Sequence, residues 1–179
     1  YAKANAGKLS YSSSLPGTSP HLTMELLKLK MKFDIVNIPY RIAAQGITDT
    51  IGGQIPINVS NSPAMVGPVQ TKRVRALAVT SAQRVAVLPD VPTMDESGVP
   101  GFEVNSWFGV AAPAGTPVAI LDKLNADING VLRSAEVQKR LDELMMPPAP
   151  TTRDEFDQFI RAEITRWAQV IKDAGIPKQ

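Results

Sequence analysis

Between Ser13 and His21 the chain reads Ser13-Ser14-Leu15-Pro16-Gly17-Thr18-Ser19-Pro20-His21. Hydroxyls crowd a turn that runs straight into a helix start, with Ser19 suited to the N-cap and Pro20 to the first helical position. A helix start leaves backbone N–H groups without partners and carries partial positive charge. A turn of small residues lets an anion approach those groups closely. Ser13, Ser14, Gly17, Thr18 and Ser19 therefore form a candidate carboxylate cradle that uses no Arg or Lys. The same pattern also describes an ordinary capped helix after a polar turn. His21 lies in the first helical turn, where it serves either a ligand or the loop backbone. A charged imidazolium is disfavoured at a helix N-terminus, so a neutral donor is expected. Tyr40 ends a strand behind Pro39, as a cleft-edge phenol or as core packing. Ser60 and Asn61 follow a third strand and should point the same way as Ser13 to Ser19, because parallel strands deliver their C-terminal loops to one edge.

The rest of the composition removes whole classes of chemistry. There is no Cys and a single His, which excludes thiol nucleophiles, disulfides, Cys zinc sites and multi-histidine metal sites. Asp154, Glu155 and Asp157 read as a solvated helix start rather than an acid/base pair, and Met145-Met146 reads as packing. No nucleophile motif is present. The expectation is a binding module without cofactor or metal. The rival is an α/β enzyme domain holding a phosphorylated substrate at the Gly17–Ser19 helix start. Net charge is only +2, with the 19 Lys and Arg scattered, which is not the basic stripe of a nucleic-acid binder. No apolar run approaches a membrane span, and no signal peptide stands in this sequence.

The elements that must position these residues alternate over the first hundred positions. Strands are expected at Lys8 to Ser13, Asp34 to Ile38, Ile55 to Val59 and Ala76 to Val79. Helices are expected after Ser19, with Leu22, Leu26 and Leu29 on one face, then over Ala43 to Thr50 and Ala64 to Val69. That rhythm indicates βαβ units and a largely parallel sheet. Thr80 to Gly101 is a connector broken by prolines, with one turn near Thr93 to Ser97. Val104 to Ala112 reads as a strand, and the remainder as three helices. The first starts at Thr116-Pro117, the second is capped by Ser134 and runs to about Met145, and the third opens with the capping box Thr152-Arg153-Asp154-Glu155. The last helix buries Phe156, Phe159, Ile160, Ile164, Trp167, Val170 and Ile171. The opening Tyr1 to Gly7 reads as the final turns of a helix stopped by Gly7, so the chain is expected to be incomplete at its N-terminus.

Several strings then resemble one family in order and spacing. They are Tyr11 to Leu22 with its Gly17-Thr18-Ser19-Pro20-His21-Leu22 core, Ile38-Pro39-Tyr40 followed by Ala43-Ala44, Gly52-Gly53-Gln54, and Asn61 with Pro63. Arg75-Ala76-Leu77-Ala78-Val79-Thr80 and Leu88-Pro89-Asp90-Val91-Pro92-Thr93 are the most diagnostic. Ser106-Trp107-Phe108-Gly109, Ala112 to Pro117, Arg161-Ala162-Glu163 and Trp167 complete the set. Together they resemble the tripartite tricarboxylate transporter receptors, periplasmic solute-binding proteins, over essentially the whole chain.

The resemblance implies a two-lobed clamp of the periplasmic-binding-protein type, with a mainly parallel sheet in the second lobe. Residues 1–102 would be most of that lobe. Residues 103–179 would be a strand crossing back, Val104 to Ala112, and the C-terminal helices of the first lobe. It further implies a non-enzymatic receptor for a small organic carboxylate, with Ser13, Ser14, Gly17, Thr18, Ser19, His21, Tyr40, Ser60 and Asn61 at the ligand. Its partners would be transporter subunits in the membrane, without insertion of its own, and a dimer through any surface left uncovered. The chain departs from the family pattern at Leu15 and Pro16, and Pro16 removes a backbone donor. That departure implies a ligand larger, flatter or less charged than a simple dicarboxylate. Ser60 stands where the family often carries an acid, which disfavours an amino-acid ligand.

Overall fold

The computed structural model describes residues 1–177. Strands β1 (Ser10–Ser13), β2 (Val36–Pro39) and β3 (Ile57–Asn58) form one sheet in the order β2-β1-β3. Both pairings are parallel, with Ser12 opposite Ile38 on one side and Asn58 on the other. Each strand is followed by a helix: α1 (Ser19–Met31), α2 (Ala43–Ile51) and α3 (Ser62–Gln70). A parallel sheet needs such crossovers, and they place all three strand-to-helix turns at one edge. The α/β class and parallel sheet expected from the sequence are therefore present. The core lies beneath α1, where Tyr11, Met24 and Ile35 are buried with Leu9, Leu27, Phe33, Ile57 and Val59 against them.

Contacts divide the chain into two compact units. One comprises Tyr1–Ser106 together with the end of the chain from Ala168, and the other is Trp107–Trp167. The second holds α4 (Val118–Leu132), α5 (Ala135–Glu143) and most of α6 (Arg153–Asp173), with no strand among its described residues. Within it, Trp107 packs edge-on against Phe156 and Phe159 at ring-centroid distances of 5.9 and 5.2 Å. Gly109 lies so close under the Phe156 ring that a Cβ would not fit. Glu163 accepts from the indole N–H of Trp107 at 3.3 Å and of Trp167 at 3.0 Å.

Several expectations are corrected. Ala76 to Val79 forms no strand; its sole ladder contact is a bridge from Val79 to Thr93. Val104 to Ala112 is likewise not a strand: Val104 exchanges hydrogen bonds with Thr80 at 2.9 and 2.8 Å, and no ladder follows. Apolar composition alone does not make a strand, which exists only where another strand supplies the opposite ladder. The helix faces of α4 and α6 are less covered than their periodicity suggested. Ile120, Leu124, Phe159 and Ile164 are all exposed, and the second unit contains no sheet for them to cover. Residues before Gly7 form a 3-10 turn, Lys3–Asn5, with Gly7 in the left-handed region behind it.

Candidate functional site

Helix α1 begins one residue earlier than its sequence suggested. Thr18, not Ser19, is the N-cap, so Ser19 and Pro20 are the first two helical residues. The Thr18 hydroxyl does not cap. It turns back and donates to the Leu15 carbonyl at 2.7 Å, while the Thr18 N–H donates to the same carbonyl at 3.2 Å. The first helical bond runs from the Leu22 N–H to Thr18. The N–H groups of Ser19 and His21 consequently have no protein acceptor among the described residues, and Ser14 is in the same position at the end of β1. Gly17 closes the turn at φ +80°, a conformation that favours glycine.

His21 is buried and braces this turn. The Gly17 N–H donates to His21 Nδ1 at 3.2 Å, so that nitrogen bears a lone pair and the ring is neutral. Burial lowers its pKa, opposed by the Glu25 carboxylate and reinforced by Lys28. Glu25 is itself buried, accepting from Tyr11 OH at 3.2 Å and from Lys28 Nζ at 3.0 Å. Burial and the neighbouring carboxylate push the Tyr11 phenol far up, so it is a permanent donor.

The flanks of the turn come from the neighbouring strands. Ser13 is buried at the end of β1, and its hydroxyl reaches Asn37 Oδ1 at 2.8 Å. The Tyr40 N–H donates to the Ser13 carbonyl at 2.9 Å, fixing Tyr40 beside the turn on the β2 side. Its phenol donates to Asp49 Oδ2 at 2.5 Å, and that bond raises its pKa. On the β3 side, Ser60 Oγ donates to Asn58 Oδ1 at 2.7 Å, and Asn58 Nδ2 donates to Ser12 Oγ at 2.8 Å. Asn61 is exposed at the N-cap of α3, and its Oδ1 accepts from Ser106 Oγ at 3.1 Å. Ser13, Ser14, Gly17, Thr18, Ser19, Tyr40, Ser60 and Asn61 thus all stand at or just after the C-terminal ends of the three parallel strands, with His21 buried in the first turn of α1 and the Tyr40 phenol directed along α2 to Asp49. Sequence reasoning missed Ser12, Asn37, Asn58 and Ser106, whose hydrogen bonds orient these strand ends. Asn58, a polar residue inside the apolar strand Ile57-Asn58-Val59, was the one local signal for them.

No group of His, Asp and Glu among the described residues is arranged to hold a metal ion. The acceptor-free N–H groups of Ser19 and His21 make the head of α1 a donor surface of the kind an anion can meet.

A model of the tripartite tricarboxylate transporter family receptor matches residues 1–176. The chain belongs to this family. A solved R. palustris structure with adipate is 35% identical and superposes with a TM-score of 0.82, covering 98% of this chain and 58% of that one. The periplasmic binding protein BugD is 33% identical with a TM-score of 0.79, over 100% of this chain and 60% of BugD. MatC from Rhodopseudomonas palustris, solved with bound malate, is 30% identical with a TM-score of 0.74, over 91% of this chain and 56% of MatC. The fold is thus part of the two-lobed solute-binding architecture. The chain spans about half the length of most of the curated relatives it matches, 51% and 53% for two of them.

Proposed function

We propose that this chain belongs to an extracytoplasmic receptor that binds a small organic carboxylate and delivers it to a tripartite tricarboxylate-type membrane transporter. The observation that carries the reading is the open head of α1, where the Ser19 and His21 N–H groups lack acceptors at the sheet edge that also holds Tyr40, Ser60 and Asn61. Adipate and malate in two structural relatives support a carboxylate as the ligand class. Residues 1–102 would form one lobe's face of the site, with the stretch around Val104 to Ala112 leading to the other lobe. A periplasmic location follows the family, and no helix among the described residues is long and apolar enough to cross a membrane. The family of receptors leaves the phosphorylated-substrate enzyme without support.

Ser19→Pro tests the site. Proline is well tolerated at the first helical position but removes the N–H, and the extended Thr18 backbone (ψ 160°) accepts a following proline. Calorimetry on the protein as its gene encodes it, with a panel of organic carboxylates, is expected to show binding without turnover. Ser19→Pro is expected to weaken binding by about tenfold, the scale of one hydrogen bond to a charged group. Unchanged affinity in Ser19→Pro would place the ligand elsewhere.

A further inference from the structure

Glu25 is a buried carboxylate that the carboxylate-receptor reading leaves unused. It stands one turn along α1 from His21, and Lys28 stands one turn further, so the three share one stripe of the helix. The stripe meets β1 at Tyr11, which is fully buried and donates its hydroxyl to Glu25 Oε1 at 3.2 Å. Lys28 Nζ lies 3.0 Å from Oε2. Taking a carboxylate out of water is costly even when it is paired, and an apolar side chain of similar size often serves stability as well. A charge at this position therefore calls for a second consequence, and His21 supplies it.

The neutral imidazole has one proton to place. The Gly17 N–H meets Nδ1 at 3.2 Å, which requires a lone pair there and the proton on Nε2. Nε2 stands 3.9 Å from Glu25 Oε1. That is too long for a direct hydrogen bond. Both side chains are buried, however, and there a charge acts on a neighbouring N–H dipole with little screening. Lys28 opposes the carboxylate, and of the two charges Glu25 has the larger effect on the ring. The net field draws the ring proton to Nε2. With the proton on Nδ1, two N–H groups would face each other and the Gly17 turn would lose its hold. Gly17 immediately precedes the Thr18 N-cap, so that turn sets where the acceptor-free N–H groups of Ser19 and His21 stand.

We infer that Glu25 is a positioning residue for this site: its carboxylate fixes the ring tautomer of His21, which holds the Gly17 turn and with it the head of α1. The effect on binding rests on the carboxylate-receptor reading. The test uses the protein as its gene encodes it, in wild-type form and as Tyr11→Phe, Tyr11→Phe/Glu25→Leu and Glu25→Gln. The double variant leaves no orphaned hydroxyl, and Lys28 keeps Asp34 at 3.7 Å. Nitrogen-15 NMR at neutral pH reads the His21 tautomer and the Gly17 amide. Calorimetry with a panel of organic carboxylates that includes malate and adipate reads affinity, at a temperature where all four proteins are folded. Wild type should hold the Nε2–H tautomer. Tyr11→Phe leaves the carboxylate in place, so it should lower stability and keep both tautomer and affinity. Adding Glu25→Leu should mix the tautomers, shift the Gly17 amide and weaken binding by about three- to tenfold, the scale of one hydrogen bond. Glu25→Gln keeps an oxygen able to face Nε2 and should retain most of both. An unchanged tautomer in the double variant would overturn the inference, and so would an affinity loss in Tyr11→Phe equal to that in the double variant, the result of a merely structural role. Failure of the wild type to bind any acid of the panel would overturn the receptor reading, and the tautomer and Gly17 amide would still decide whether Glu25 holds the turn.

Discussion

The Gly17 N–H donates to Nδ1 of His21 at 3.2 Å, so the chain's only histidine serves as an acceptor for the loop that precedes it. This bond links the left-handed turn at Gly17 to the buried Glu25, because the other ring nitrogen faces Glu25 Oε1 at 3.9 Å. Protonating Nδ1 removes the acceptor.

The pH dependence of stability follows from that bond. Burial lowers the His21 pKa in the folded protein, whereas an unfolded histidine titrates near about 6.5. On acidification the unfolded state takes up the proton first. The contribution of neutral His21 is therefore complete above about pH 6.5 and is lost as pH falls toward the lower folded value. The urea midpoint should be level above about pH 7 and begin to decline as pH falls below about 6.5, above most carboxylate titrations. His21→Gln should flatten that decline. A level wild-type midpoint down to about pH 5 would contradict it.

Tyr11→Phe should destabilise the fold by about 1.5–3 kcal/mol, the scale of a hydrogen bond to a charged group. The Tyr11 side chain is fully buried, and its hydroxyl is one of two donors on the buried Glu25, the other being Lys28. Urea unfolding of both proteins measures the difference, and a change below about 0.5 kcal/mol would show that Lys28 alone satisfies Glu25.

Gly46→Ala probes how closely α2 approaches β1. A Cβ at Gly46 would stand 3.1 Å from Ser12 Cβ and 3.1 Å from the Tyr40 ring. Backbone and ring must both give way, at a cost of about 1–3 kcal/mol. Because Ser12 orients Asn58 and Tyr40 follows β2 at the same sheet edge, the same substitution should weaken carboxylate binding beyond its effect on stability. Binding measured at a temperature where both proteins are fully folded separates the two effects.

Thr152→Ala should cost about 1 kcal/mol through the start of α6. Thr152 Oγ1 accepts from the Glu155 N–H at 3.2 Å, and Glu155 accepts from the Thr152 N–H at 2.8 Å, a reciprocal capping box. Thr152→Ser keeps the oxygen and should retain most of the stability; equal loss in both variants would mean that the methyl group, not the cap, matters.

The helices and the turns between them were legible because their signals are local. The capping box at Thr152, the Ser134 cap position and the apolar periodicity of α1 and α6 lie within a few residues of what they specify. The three parallel strands were legible in outline, since each stood between recognisable helices. The apolar runs at Ala76 to Val79 and Val104 to Ala112 misled for the opposite reason: their strand character depends on partners distant in sequence, and the described structure supplies almost none. The positions of the candidate-site hydroxyls, before a helix start and after parallel strands, were also readable. What each of them offers a ligand was not. Whether Ser60 donates or accepts depends on Asn58, whose amide depends on Ser12 across the sheet, and whether His21 donates or accepts depends on the Gly17 backbone. The sequence alone determined which polar groups exist and at which edge they gather. Only the tertiary structure decided where each proton goes, because a hydroxyl or imidazole takes its role from the one neighbour that satisfies it.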